Sequence, residues 1–81
     1  MGETVQNKLR RWRFERDEMT QEELARRADL SRQTIIAIEK GKYVPSLLVA
    51  FRLAHVLQVK LEELFQYHPD EPLNPGENQA P

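Results

Sequence analysis

The chain has 81 residues, with 12 Lys and Arg against 13 Asp and Glu for a net charge of −1, and it contains no cysteine. This length bounds it to one domain with little room for a core, so its elements must pack tightly or pair with another chain. The lack of cysteine excludes disulfides and thiolate zinc sites, and no apolar run approaches the roughly 20 residues that span a bilayer.

Met1-Gly2-Glu3-Thr4 shows no charged n-region leading into an apolar stretch. Gln6 stands where a myristoylation motif carries Ser or Thr. The expectation is a soluble cytoplasmic protein. The near-zero net charge hides an asymmetry. Residues 1–61 carry all 12 Lys and Arg against 8 acids, whereas residues 62–81 carry 5 acids and no base. A basic body with an acidic end suits phosphate contact, although such charges equally suit an ordinary solvated surface.

The elements read as helical, because no useful run alternates in the manner of a strand. A first helix is expected from about Asn7 to Arg16, with Asn7 as N-cap and Leu9, Trp12 and Arg13 on one face. Trp12 continues the stripe of Leu9 and is assigned to the core. A second helix starts at Thr20, whose spacing to Glu23 forms a capping box. It carries Leu24, Ala25 and Ala28 on one face and stops near Ala28 or Asp29.

Ser31 caps a third helix, running to Lys40, with Ile35 and Ile38 inward and Leu30 at its entry. Gly41 occupies the left-handed position after it. Lys40 and Lys42 fall near the negative end of its dipole. Pro45 and Ser46 open a fourth helix, in which Leu47, Ala50, Phe51, Ala54 and Leu57 follow helical spacing. Leu53 joins the core, while Leu48 and Val56 fall toward other faces. A short fifth helix covers about Leu61–Phe65. Residues 1–69 therefore read as one helical domain, and 70–81 as an acidic, Pro-rich tail whose composition predicts disorder.

The pair of helices from Gln21 to Lys40, joined by a three-residue turn, carries the functional reading. Burying Ile35 and Ile38 turns Arg32, Gln33, Ile36 and Ala37 outward at the start of the third helix. Arg can bond guanine O6 and N7, Gln can bond adenine N6 and N7, and Ile can meet a thymine methyl. The same residues also suit a plain polar helix start, and spacing alone does not choose between the two.

Four linked stretches carry a resemblance. Met19-Thr-Gln-Glu-Glu-Leu-Ala, Leu30-Ser-Arg-Gln-Thr-Ile, Ile38-Glu-Lys-Gly-Lys-Tyr and Pro45-Ser-Leu resemble the Cro/C1-type (Xre) helix-turn-helix family over about Asn7–Pro69. Leu61-Glu-Glu-Leu-Phe-Gln-Tyr is similar to the compact branch that includes the cytolysin repressor. The resemblance implies an all-α, five-helix, lambda-repressor-like domain. It also implies a minor two-stranded antiparallel sheet from Thr4–Gln6 and Gln66–His68. Base-facing roles fall on Arg32, Gln33 and Ile36, with Ala37 beside them. Positions near the DNA backbone fall on Gln21, Ser31, Thr34, Lys40, Lys42 and Tyr43. Arg13 and Glu39 match a family pair that joins the first helix to the third, and Glu39 sits beside Ile35 and Ile38 at the edge of the buried face.

Three positions depart from the family pattern. Asp29 and Gln58 stand where glycine is usual, so left-handed backbone is expected at both. The Asp17-Glu18 link lacks the usual glycine and is one residue longer.

Catalysis is not expected. The chain has no glycine-rich phosphate loop, and His55 and His68 lack metal-ligand spacing. Glu22-Glu23 and Glu62-Glu63 sit at helix starts, where acids favour the dipole. The expected partner is double-stranded DNA, read by a homodimer with recognition helices roughly 34 Å apart on a palindromic operator. Leu48, Val56, Leu61 and Tyr67 are the candidate dimer residues. No cofactor, metal or membrane partner is expected. The rival reading is an antitoxin or adaptor acting through a protein partner.

Overall fold

Hydroxyl caps set three of the helix starts. Thr20 Oγ1 accepts from the Glu23 amide at 3.0 Å, Ser31 Oγ from the Thr34 amide at 3.1 Å, and Ser46 Oγ from the Val49 amide at 3.2 Å. Each satisfies an amide that the first helical turn leaves without a partner.

The computed structural model describes residues 3–69. In chain order these form β1 (Thr4–Asn7), α1 (Leu9–Glu15), α2 (Gln21–Ala28), α3 (Arg32–Glu39), α4 (Leu47–Leu57), α5 (Leu61–Leu64) and β2 (Phe65–His68). The tail expected at 70–81 lies outside the described residues.

Three helices end on a left-handed residue: Asp29 at φ 59°, Gly41 at φ 74° and Gln58 at φ 59°. Each end closes with the same pair of backbone bonds. Leu30 N–H reaches Ala25 O, Lys42 N–H reaches Ala37 O, and Val59 N–H reaches Ala54 O, at 2.8–3.0 Å. This Schellman geometry also turns the residue after the cap inward, and Leu30 and Val59 both pack on the core. The expected left-handed backbone at Asp29 and Gln58 is therefore present. Asp17 and Glu18 are left-handed as well, at φ 58° and 55°. Their two consecutive left-handed steps let Met19 N–H reach back to Arg13 O at 2.9 Å, and Met19 enters the core.

The core gathers Leu9, Leu24, Ala25, Ala28, Ile35, Ile38, Leu53, Ala54, Leu57 and Leu64, with Trp12 packed against it. Ala25, Ala28, Ala50 and Ala54 are small enough to let α2, α3 and α4 approach closely, and all four are buried. The termini meet as an antiparallel ribbon, with Thr4 opposite His68 and Asn7 opposite Phe65. Both strands implied by the family resemblance form, each one residue longer than expected.

Several expectations need correction. The first helix begins at Leu9, not Asn7, because Asn7 ends β1. Asn7 still serves the helix start: its Oδ1 accepts from the Leu9 amide at 3.1 Å while its Nδ2 donates to Ile38 O of α3 at 2.8 Å. Glu23 does not close the capping box. Its carboxylate is taken by Arg26 and Arg27 at 2.7 and 2.6 Å, one helical turn away. Hydrogen bonds from Arg27 and then Arg26 hold this exposed carboxyl below its ordinary range.

The fourth helix buries Ala50, Leu53, Ala54 and Leu57, while Leu47 and Phe51 face outward. Val56 is half-buried against the core instead of lying on an open face. The fifth helix stops at Leu64, and Phe65 begins β2.

Because Gln58 is an L-residue held in the left-handed region, replacing it with glycine relieves backbone strain. The loss of its Nε2 bond to His55 O at 2.9 Å offsets part of that gain. Urea denaturation of Gln58→Gly is expected to show unchanged stability or a gain of up to about 1 kcal/mol. A clear loss would contradict the strain.

Candidate nucleic-acid interface

The inner side of α3 is fixed along its length. Ile35 and Ile38 are fully buried, and the C-terminal end of the helix is held by polar bonds. Arg13 on α1 donates to Glu39 through Nε at 2.7 Å and Nη2 at 3.1 Å, and its Nη1 donates to Met19 O at 2.8 Å. The two side chains are only 11% and 10% exposed. Gln21 at the start of α2 donates from Nε2 to Glu39 Oε1 at 3.0 Å. Glu39 thus joins α1, α2 and α3 at one point. A planar guanidinium is needed there, since it meets a carboxylate with two parallel bonds and still reaches a carbonyl.

With its inner side spoken for, α3 leaves Arg32 and Gln33 exposed and Ile36 and Ala37 half-buried. Ser31 and Thr34 lie at the same end, their hydroxyls 2.9 Å apart. If Ser31 donates in that pair, the Thr34 hydroxyl keeps its own hydrogen for an outside acceptor. Lys40, Lys42 and Tyr43 are exposed on the turn after α3. Gln21 at the start of α2 and Arg32, Ile36 and Lys40 on and after α3 share one side of the molecule.

A second feature of this side was missed in the sequence. An open groove runs between α1 and the α2–α3 pair, and its walls carry Lys8, Arg10, Arg11, Arg32 and Lys40 together with Gln21 and Ile36. Glu22 and Glu39 also line it, but the charge of Glu39 is compensated by Arg13. Arg10 lies over the Phe14 ring at 5.8 Å and Arg11 over Trp12 at 5.9 Å, which stiffens two long side chains on the groove wall. The available signal was the density of bases in Lys8–Arg13. Nothing in their spacing shows that they border α3.

The candidate dimer residues do not gather as readily. Leu48 and Tyr67 are exposed, while Val56 and Leu61 are half-buried. The Tyr67 hydroxyl donates to Glu3 at 2.6 Å, and that carboxylate pushes the phenol pKa up. Among the described residues, no helix is long and apolar enough to cross a membrane, and no group of His, Asp or Glu is placed to hold a metal ion.

Two helices in contact, α2 with buried alanines and α3 with an open polar face, form a helix-turn-helix unit. Residues 11–64 match the HTH_3 helix-turn-helix family. The chain belongs to this family.

Over 67 residues it is 52% identical to an uncharacterised HTH-type transcriptional regulator of Methanocaldococcus jannaschii, which spans 83% of this chain and 100% of that protein. An uncharacterised HTH-type transcriptional regulator of Bacillus subtilis is 46% identical over 46 residues, 57% of this chain and 70% of its own. Among solved structures, a Bacteroides fragilis protein proposed to bind DNA superposes with a TM-score of 0.69 at 25% identity, covering 78% of this chain and 100% of that one. In the HTH_3 family frame, α2 and α3 are the paired helices of the motif.

The Glu39 node generates a stability prediction. Glu39→Gln removes one partner of a nearly buried, hydrogen-bonded pair and leaves Arg13 uncompensated. Urea denaturation is expected to show a loss of about 3–5 kcal/mol. Unchanged stability would mean that the pair does not hold α3 in place.

Proposed function

We propose that this protein is a sequence-specific DNA-binding transcriptional regulator that places α3 in the major groove. The observation that carries this reading is the division of α3 into a pinned inner side and an open outer side bearing Arg32, Gln33 and Ile36. Recognition helices read base edges with their N-terminal residues, and these three have the chemistry for guanine, adenine and the thymine methyl.

Phosphates would be met by Gln21, Ser31, Thr34, Lys40, Lys42 and Tyr43, and by Lys8, Arg10 and Arg11 on the groove wall. The family membership and the names given to the relatives support the same reading. We place the chain in the compact branch similar to the cytolysin repressor, on account of the short sheet and the Leu61–Tyr67 segment. It acts as a homodimer on a palindromic operator and represses by occupying a promoter. It performs no catalysis.

The test is binding to DNA from upstream of its own coding region, at two salt concentrations. Wild type is compared with Arg32→Ala/Gln33→Ala and with Arg10→Ala/Arg11→Ala. The first pair is expected to lose specific binding by about 1–3 kcal/mol per base contact while keeping non-specific binding. The second is expected to weaken all DNA alike and to reduce the salt slope by about 1 per lost phosphate contact. A folded protein with no specific binding at either salt would overturn the reading in favour of an antitoxin or adaptor that works through a protein partner.

A further inference from the structure

The groove beside α3 is unbalanced in charge. Of the two acids that line it, Glu39 is taken by Arg13. That leaves Lys8, Arg10, Arg11, Arg32 and Lys40 with Glu22 alone. The ion pairs among the described residues use Arg13, Arg26 and Arg27, and none of these five bases. Cations gathered along one channel repel one another, and an anion placed among them is attracted by all.

The groove also has an apolar part. Phe14 lines it at 53% exposure, beside half-buried Ile36. A phosphate gains nothing from an open phenyl ring. The occupant that fits both features is acidic, with an apolar side chain among its acids.

This chain contains such a segment. Residues 70–81, which lie outside the described residues, carry Asp70, Glu71 and Glu77 and no Lys or Arg. Leu73 falls between the acids and is the one Leu, Ile, Val or Met of that segment.

The terminal ribbon delivers it to the groove. β2 ends at His68 opposite Thr4, three residues before Asn7, which lines the groove. Strand rise puts that edge of the groove about 10 Å back along the ribbon. Glu71 is three residues beyond His68, a reach of at most about 10 Å. Turned back along the ribbon, the chain thus brings Glu71 level with Asn7 and Lys8. The six further residues to Glu77 span at most about 20 Å, which carries its carboxylate along the groove.

We propose that Asp70–Glu77 docks in cis in this groove, with Leu73 against Phe14 and its carboxylates among the Lys and Arg side chains, and so competes with nucleic-acid phosphate. The inference rests on the DNA-binding reading above and adds a control to it. A tethered segment acts at an effective concentration on the order of millimolar, so weak pairing is enough to occupy the groove. Every duplex that enters must displace it. Affinity for all DNA therefore falls by the same factor, and the preference for one sequence over another is kept.

The chain has no cysteine, so Asn78→Cys takes a single nitroxide label. In full-length, nitrogen-15-labelled protein without DNA at low salt, the nitroxide is expected to broaden the amides of Lys8–Arg11, Arg32 and Lys40 and to spare Val56–Gln58. Two further chains carry the same label. Asp70→Asn/Glu71→Gln/Glu77→Gln removes the charge. Leu73→Ser keeps every charge, so it separates docking from plain repulsion between an acidic segment and DNA. Each is expected to lose most of the broadening. A silent groove would overturn the proposal, as would broadening that survives in either variant. When nitroxide-labelled chains are mixed with nitroxide-free nitrogen-15 chains, the latter are expected to stay sharp. Broadening there would assign the contact to another copy and overturn docking in cis.

DNA binding by the unlabelled chains gives the second readout. At low salt the neutralised chain is expected to bind its upstream duplex and an unrelated duplex each about fivefold more tightly than wild type, with the gain fading as salt is raised. Equal affinities would overturn the competition. Broadening at the groove in a protein that prefers no DNA, neutralised or not, would uphold the docking and contradict the DNA-reading function.

Discussion

The bond between Arg13 and Glu39 is the constraint on which the rest of the structure depends. In a chain this short, the apolar core is too small to fix every helix by packing alone. A bidentate ion pair at about one-tenth exposure fixes orientation as well as distance. Glu39 takes Arg13 from α1 and Gln21 from α2 on the same carboxylate, while Asn7 holds the neighbouring Ile38 carbonyl from the end of β1. The last turn of α3 is therefore tied to three other elements. Among the described residues, its first turn, which carries Arg32 and Gln33, makes no side-chain hydrogen bond or ion pair to another element.

The same helix that anchors α3 also closes the opposite end of the fold. Arg16 donates to Leu57 O at 2.7 Å and to Gln58 O at 3.3 Å, placing a cation at the negative end of α4. Its guanidinium lies 5.2 Å from the Trp12 ring, and Trp12 Nε1 donates to Glu63 O at 3.0 Å. The Lys8 amide reaches Leu64 O at 2.8 Å, where the terminal ribbon begins. α1 is thus a tie with α3 on one side and α4 and α5 on the other. A face held this way is ordered before any ligand arrives, which would spare part of the entropy cost of binding.

What the sequence disclosed follows the range over which each interaction acts. Caps at Thr20, Ser31 and Ser46 and the left-handed end at Gly41 are local and were legible, whereas the left-handed ends at Asp29 and Gln58 were expected from the glycines of the resembled family. The inward phase of Ile35 and Ile38, which sets the outward phase of Arg32, Gln33 and Ile36, was legible as well. Glu23 went astray because Arg26 and Arg27 are also local and compete for the same carboxylate.

The fourth helix misled for a different reason. It is apolar on two faces, so periodicity offers no contrast, and the small Ala50 and Ala54 decide which face meets α2. The strands are too short to alternate visibly and came only from family resemblance. Asn7 was read as a helix cap, but its bond to the Ile38 carbonyl was not legible because that partner is 31 residues away. The basic wall of the groove escaped for the same reason: Lys8, Arg10 and Arg11 look like a solvated helix face until α1 is laid beside α3.

The central claim is that one pinned helix presents its open face, together with the wall of α1, to DNA. Backbone amide shifts of nitrogen-15-labelled protein, followed as a duplex from its own upstream region is added, test this most directly. The largest changes are expected at Gln21 and Glu22, across Ser31–Ala37 and Lys40–Tyr43, and at Lys8–Arg11, with Phe65–His68 unmoved. Changes confined to β2 or to the far end of α4, with Ser31–Ala37 silent, would contradict the account.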